Sequence, residues 1–88
     1  MNKTFSAEGV HFRLLPDEFS IETSGGMLFY ATLDQDKIWK SEEGDYYSDF
    51  QSMWEDVRAW IGELASTIWS EDKYKEFFIA VNAIFSTT

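Results

Sequence analysis

The feature that most constrains the fold is a change in the spacing of apolar residues near the middle of the chain. Before Ser41, large apolar side chains alternate with polar ones, as in Val10, Phe12 and Leu14, which is the period of a half-buried strand. After Asp49 the apolar residues follow helical spacing instead. This segregation predicts an α+β fold, with an antiparallel β-meander of about four strands followed by two α-helices packed on one sheet face.

Turn residues divide the first segment into strands over about residues 4–41. Pro16-Asp17 and Asp34-Gln35-Asp36 are turn signals. Residues 27–33 are almost wholly apolar, which predicts a central strand covered on both faces. Gly9 is predicted to be a bulge within an extended first strand that also contains Phe5 and Ala7.

The helical spacing of apolar residues in the second segment predicts helices near residues 49–69 and 71–86. Ser70 is a suitable N-cap for the second helix because its hydroxyl can accept a backbone N–H. The apolar face of the first helix consists of Phe50, Met53, Trp54, Val57, Trp60, Ile61, Leu64 and Ile68. The side chains expected to be buried between the helices and the sheet are Trp54, Ile61, Leu64, Phe77, Phe78 and Val81.

The length of 88 residues fits a single domain over residues 1–88. Within it we expect an antiparallel sheet at 1–41, an acidic loop at 42–48 and a helical pair at 49–86. The sequence has no cysteine, which favours a reducing compartment. It also lacks an apolar run of the length needed for a signal peptide or a membrane span. These observations predict a cytoplasmic protein with no membrane partner.

The sequence offers little for catalysis. An enzyme needs a nucleophile, a base, a metal or a cofactor cradle, and none of the common metal, phosphate or nucleotide signatures occurs. The single histidine, His11, alternates with apolar strand residues and is expected to face outward. We therefore expect a non-enzymatic protein with no catalytic residues, no metal site and no cofactor.

Charge is the property that points to a partner. The formal net charge is −9, and it is concentrated in the second half. Residues 1–40 carry six acids and four bases, a net −2, whereas residues 41–88 carry ten acids and three bases, a net −7. Such a field repels nucleic acid and attracts basic surfaces. The simplest alternative is that the acidity only maintains solubility.

Two acidic features form the predicted partner-binding surface. The first is the loop between sheet and helices, with two adjacent tyrosines. The second is a stripe on the first helix whose acids are spaced seven residues apart, so that each is turned by about 20° from the last. Carboxylates can bind arginine in the geometry that phosphates use. The predicted surface comprises Glu42, Glu43, Asp45, Tyr46, Tyr47, Asp49, Asp56, Trp60 and Glu63.

In size, acidity, lack of cysteine and strands-then-helices layout, the chain resembles small phage-encoded anti-defence proteins. The segment from Glu42 to Asp49, Glu-Glu-Gly-Asp-Tyr-Tyr-Ser-Asp, shares their acidic and aromatic character. Among these, anti-CRISPR proteins commonly block the DNA-binding surfaces of CRISPR effectors. The resemblance implies an inhibitor that acts in the cytoplasm of a bacterial host, with mimicry of nucleic acid as one mode of action.

Under this hypothesis the partner is a basic nucleic-acid-binding protein or complex, such as a CRISPR effector or a nuclease, and the chain does not bind nucleic acid itself. Two alternatives remain open. One is an immunity protein or antitoxin that neutralises a basic nuclease toxin. The other is a small homo-oligomeric assembly protein that uses its aromatic surplus, 18% of the residues, as an interface.

Overall fold

The computed structural model describes residues 2–86. The chain divides into two compact units, Met1–Asp49 and Phe50–Thr88. The first unit contains the strands and the second contains the helices, which confirms the α+β class and the order of an antiparallel meander followed by two helices. The elements are β1 Lys3–Ala7, β2 Val10–Leu14, β3 Glu18–Thr23, β4 Gly26–Leu33, β5 Trp39–Ser41, β6 Tyr46–Tyr47, α1 Phe50–Ile68 and α2 Glu71–Phe85.

Within residues 2–86 the sheet has six strands rather than the predicted four, in the order of the chain. One extra strand arises at the N-terminus. Glu8 and Gly9 both adopt positive φ, at 53° and 78°, which is the conformation of a two-residue hairpin turn. The turn pairs Ala7 with Val10, so Gly9 is part of a turn and not of a bulge. The bulge was predicted in place of a turn because glutamate, the residue at position 8, rarely adopts positive φ.

The other extra strand, β6, lies inside the segment that was predicted to be an acidic loop at 42–48. Tyr46 and Tyr47 pair with Lys40 and Trp39 of β5. The loop is therefore a tight hairpin turn and not a long connection between the sheet and the helices. Only two residues pair, and a strand this short leaves almost no periodic pattern in a sequence.

Register places the large apolar residues of the sheet on one face. Phe5 pairs with Phe12, Phe12 with Ile21, and Ile21 with Phe29. Successive side chains of a strand point to opposite faces, so these residues share one face, and Arg13, Glu18 and Glu22 lie on the other. The rings of Phe5 and Phe12 meet edge to face at 6.0 Å, a favourable aromatic geometry.

Aromatic side chains pack between the two helices of the second unit. Trp54 is 1% exposed, its ring centroid lies 5.3 Å from that of Phe85, and its indole N–H donates to Asn82 Oδ1 at 3.1 Å. Ser70 caps α2 as predicted, because its hydroxyl accepts the backbone N–H of Lys73.

Burial agrees with four of the six predicted core positions. Trp54, Ile61, Phe77 and Val81 are buried. The prediction was wrong for Leu64, which is 41% exposed, and for Phe78, which is half-buried. Both residues lie at the margin of a helix face, where apolar spacing alone does not fix which neighbour covers the side chain.

Gly62 allows the two helices to approach closely. A Cβ at this position would lie 3.1 Å from Tyr74 Oη, and alanine otherwise favours a helix by about 1 kcal/mol over glycine. We expect Gly62→Ala alone to change the free energy of unfolding by less than about 0.5 kcal/mol, because the contact offsets the helix propensity. In a Tyr74→Phe background, the same change should stabilise by about 1 kcal/mol. Chemical denaturation of the four proteins tests this, and equal effects in both backgrounds would show that the hydroxyl does not restrict the site.

Candidate functional site

The first part of the predicted surface is an ordered hairpin turn between β5 and β6. The N–H of Gly44 donates to the Ser41 carbonyl at 3.0 Å, and the N–H of Ser41 donates to the Asp45 carbonyl at 2.9 Å. Gly44 has a φ of 93°. This is the pattern of a three-residue hairpin loop with glycine in the left-handed position. Within the turn, Glu42, Glu43 and Asp45 are all exposed.

Ser41 anchors this turn from within the sheet. It is 3% exposed, it pairs with Ala31 of β4, and its hydroxyl accepts the backbone N–H of Asp45 at 3.1 Å. The N–H of Glu42 donates to the Tyr30 carbonyl at 3.0 Å. The acidic turn, defined here as residues 42–45, is therefore held by backbone contacts on both sides. Little backbone conformational entropy remains to be lost when a partner binds it.

The structure separates the two adjacent tyrosines that the sequence grouped together. Tyr46 is 64% exposed and lies beside Lys40, whose Nζ is 5.6 Å from the centre of the Tyr46 ring. Tyr47 pairs with buried Trp39 and is half-buried. Because neighbouring strand residues point to opposite faces, only Tyr46 is presented beside the acidic turn as an exposed aromatic group.

The second part of the predicted surface lies on α1. Asp56 and Glu63 are exposed on this helix, seven residues apart and therefore about 10.5 Å apart along its axis. Trp60 lies between them in sequence and is 43% exposed. Asp49 precedes the first helical residue, Phe50, so the helix itself carries two of the three acids of the stripe. Of the nine predicted residues, six (Glu42, Glu43, Asp45, Tyr46, Tyr47 and Asp49) belong to the first compact unit and three (Asp56, Trp60 and Glu63) to the second.

A small pocket lies next to the acidic turn, and the sequence did not predict it. Its volume is about 160 Å³. Residues 27–33 were expected to be covered on both faces, but Met27 is 50% exposed and only Ala31 in β4 is buried. The expectation was wrong because a run of apolar residues shows that a strand is hydrophobic but does not show which parts of the chain cover its two faces. The pocket is lined by Met27, Leu28, Phe29, Tyr30, Ser41, Glu42 and Glu43.

Tyr30 connects this pocket to a charged group on the polar face of the sheet. Its hydroxyl donates to Glu18 Oε2 at 3.1 Å, and Glu18 Oε1 lies 3.6 Å from Arg13 Nη2. The hydrogen bond to Glu18 raises the pKa of Tyr30, and the negative charges of Glu18, Glu42 and Asp17 add to the shift. The protonated phenol is the donor in this hydrogen bond.

The raised pKa of Tyr30 gives a pH dependence with a defined sign. The neutral phenol is favoured by folding, so its stabilising effect is complete below the unfolded pKa of about 10 and is lost as the pH rises through the folded pKa. Tyr30 should be harder to ionise than an ordinary tyrosine when phenolate absorbance is followed, and Glu18→Gln should lower its pKa. Tyr30→Phe should lose less stability than the wild type above about pH 10. An unchanged titration in Glu18→Gln would contradict the assigned cause.

Other kinds of site receive no support from the described residues. Among residues 2–86, no three histidine or acidic side chains gather in a way that could hold a metal ion. Over the same residues, neither helix combines the length and apolarity required to cross a bilayer. Searches against protein-family models, curated proteins and solved structures find no match to this chain.

Proposed function

We propose that this protein is a phage-type inhibitor that binds a basic nucleic-acid-handling protein and blocks its nucleic-acid-binding surface. Its target is a bacterial defence complex such as a CRISPR effector or a restriction enzyme, and it acts in the cytoplasm of the bacterial host without catalysing a reaction. The observation that carries the proposal is the acidic turn, which presents three carboxylates and the exposed ring of Tyr46 on a hydrogen-bonded hairpin.

The physical basis is the similarity between carboxylates and phosphates as arginine ligands. Both accept paired N–H donors from a guanidinium group, and Tyr46 offers an aromatic anchor of the kind that dominates binding energy at interfaces. The net charge of −9 accelerates association with a basic groove and repels the nucleic acid that would compete for it. The exposed acids and Trp60 on α1 offer a second contact region of the same character.

A protection experiment tests this function directly. The gene would be expressed in bacterial strains that each carry one defined CRISPR or restriction system, and phage plaquing would be measured. We expect the wild type to restore plaquing in at least one strain, because an occupied groove cannot bind DNA. A purified effector from that strain should then lose target DNA binding when the protein is added, in competition with the DNA.

The variant that tests the surface changes Glu42, Glu43 and Asp45 to Lys. Equal protection by this variant would show that the acidic turn is not the inhibitory surface. Absence of protection across all strains, combined with rescue of cells from a co-expressed basic nuclease toxin, would support the immunity-protein alternative instead.

A further inference from the structure

The edge of β4 beside the acidic turn is open over about half of the strand. β4 pairs with β3 from Gly26 to Thr32, but it pairs with β5 only through Ala31, Thr32 and Leu33. After Ser41 the chain turns away into the acidic turn, and the Glu42 N–H to Tyr30 carbonyl bond ends the contact between the two segments. In the described part of the chain, no other strand pairs with residues 26–30 on this side.

The pocket described above lies along this open edge. Three of its lining residues, Met27 to Phe29, belong to the open stretch of β4, and Tyr30, whose carbonyl accepts the Glu42 N–H, ends that stretch. The other lining residues are Ser41 and two residues of the acidic turn, Glu42 and Glu43. The site therefore combines unpaired strand backbone, two aromatic side chains and two carboxylates. An open strand edge binds extended peptides by adding a strand, with backbone hydrogen bonds for affinity and side-chain pockets for specificity.

Charge and chemistry select the occupant. Glu42 and Glu43 favour a cation. Phe29 and Tyr30 are neighbours on one strand, so their rings lie on opposite faces, and either ring offers a surface on which a flat cation can stack. Arginine satisfies both requirements, whereas a phosphate or an acidic peptide would be repelled. The register between β3 and β4 is interrupted opposite Leu28, between Ile21 and Glu22. Such bulges twist a strand, so the open edge suits a short segment.

We propose that the open edge of β4 binds a short, extended, arginine-containing segment of the partner, with the arginine side chain in the pocket between β4 and the acidic turn. This proposal rests on the proposed function, since it assigns a contact chemistry to the same acidic turn. It also defines the mode of binding, because the partner contributes a strand as well as a basic surface.

Peptide binding tests this mode with probes of known chemistry. The first probe is a fluorescent synthetic peptide in which arginine alternates with valine. The second contains citrulline, which has nearly the shape of arginine but no charge, and the third keeps arginine but carries N-methyl groups on alternate backbone amides. We expect the first to bind at least about 10-fold more tightly than either other peptide. The citrulline peptide loses the charge that is attracted to Glu42 and Glu43, and the N-methylated peptide loses backbone N–H donors. Its binding should also slow the exchange of backbone amides within Met27–Tyr30.

Protein variants locate the peptide. Met27→Lys places a competing cation at the pocket and should weaken binding of the arginine peptide by about 10-fold. Gln35→Lys adds the same charge at an exposed turn of the same unit and should have little effect. Equal binding of the N-methylated peptide would overturn strand addition, and equal binding of the citrulline peptide would overturn arginine recognition.

Failure of this inference is distinguishable from failure of the proposed function. If charge reversal of the acidic turn abolishes protection while Met27→Lys leaves it intact and the peptides do not bind, the inhibitor function stands and strand addition is wrong. If the arginine peptide binds as expected but the protein protects no strain, the pocket is supported and the inhibitor function is wrong.

Discussion

Replacing Trp54 by Ala should lower the free energy of unfolding by about 3–5 kcal/mol. The indole is 1% exposed, and truncation would leave a cavity beside Phe85, whose ring centroid lies 5.3 Å away. It would also remove the N–H that donates to Asn82 Oδ1. A loss of this size is much of the stability of a small protein, which is commonly about 5–15 kcal/mol. Chemical denaturation followed by circular dichroism measures it.

Two variants serve as controls for Trp54→Ala. Trp60→Ala removes the same side chain from the same helix, but at a position that is 43% exposed, and should cost less than about 1 kcal/mol. Trp54→Phe keeps an aromatic ring but loses the hydrogen bond to Asn82, so its cost should be intermediate. Equal losses for Trp54→Ala and Trp60→Ala would show that burial of Trp54 does not hold the helical unit together.

The second large effect concerns partner binding. Changing Glu42, Glu43 and Asp45 to Lys should weaken binding to the inhibited effector by about 100-fold or more at low ionic strength. The loss should appear chiefly as slower association, because steering by charge acts before contact, and it should shrink as salt is added. Stability should change little, since all three side chains are exposed. Association and dissociation rates measured at several salt concentrations test these expectations.

The matched control reverses three other exposed acids, Glu22, Asp36 and Glu76. Both triple variants change the net charge by the same amount, so a difference between them isolates the position of the charge from its total. Reversal of Asp49, Asp56 and Glu63 tests the helix surface in the same way. If all three variants bind as well as the wild type, the acidity serves solubility alone.

Tyr46 should act at a different step from the acids. Tyr46→Ala is expected to accelerate dissociation by about 10-fold or more with little change in association, because an anchor residue contributes after contact is made. Tyr47→Ala is the natural comparison, since Tyr47 is half-buried and pairs with buried Trp39. Its main effect should be on the stability of the hairpin. The opposite result would mean that the other tyrosine carries the interface.

The sequence determined the fold class and the helices because both depend on periodicity. Apolar spacing identified α1 and α2 to within a residue or two, and the cap at Ser70 follows from local chemistry alone. The same information could not identify β6, where two residues pair. It also could not identify the β1–β2 turn, where Glu8 has a φ of 53°. The packing of the helices on the sheet and the single-domain organisation stay predictions.

The features of the candidate site also divide into those that the sequence identified and those that required the tertiary structure. Composition and order along the chain were sufficient to identify the run of acids at 42–45, because charge is a local property. Helical spacing placed Trp60 on the apolar face of α1, whereas the structure leaves it 43% exposed. Only the tertiary structure decided that Tyr46 and Tyr47 point apart, that Ser41 anchors the turn, and that β4 keeps an open edge beside it. These features depend on which strands pair and where pairing stops. Such contacts join residues distant in sequence, and no spacing pattern within one segment encodes them.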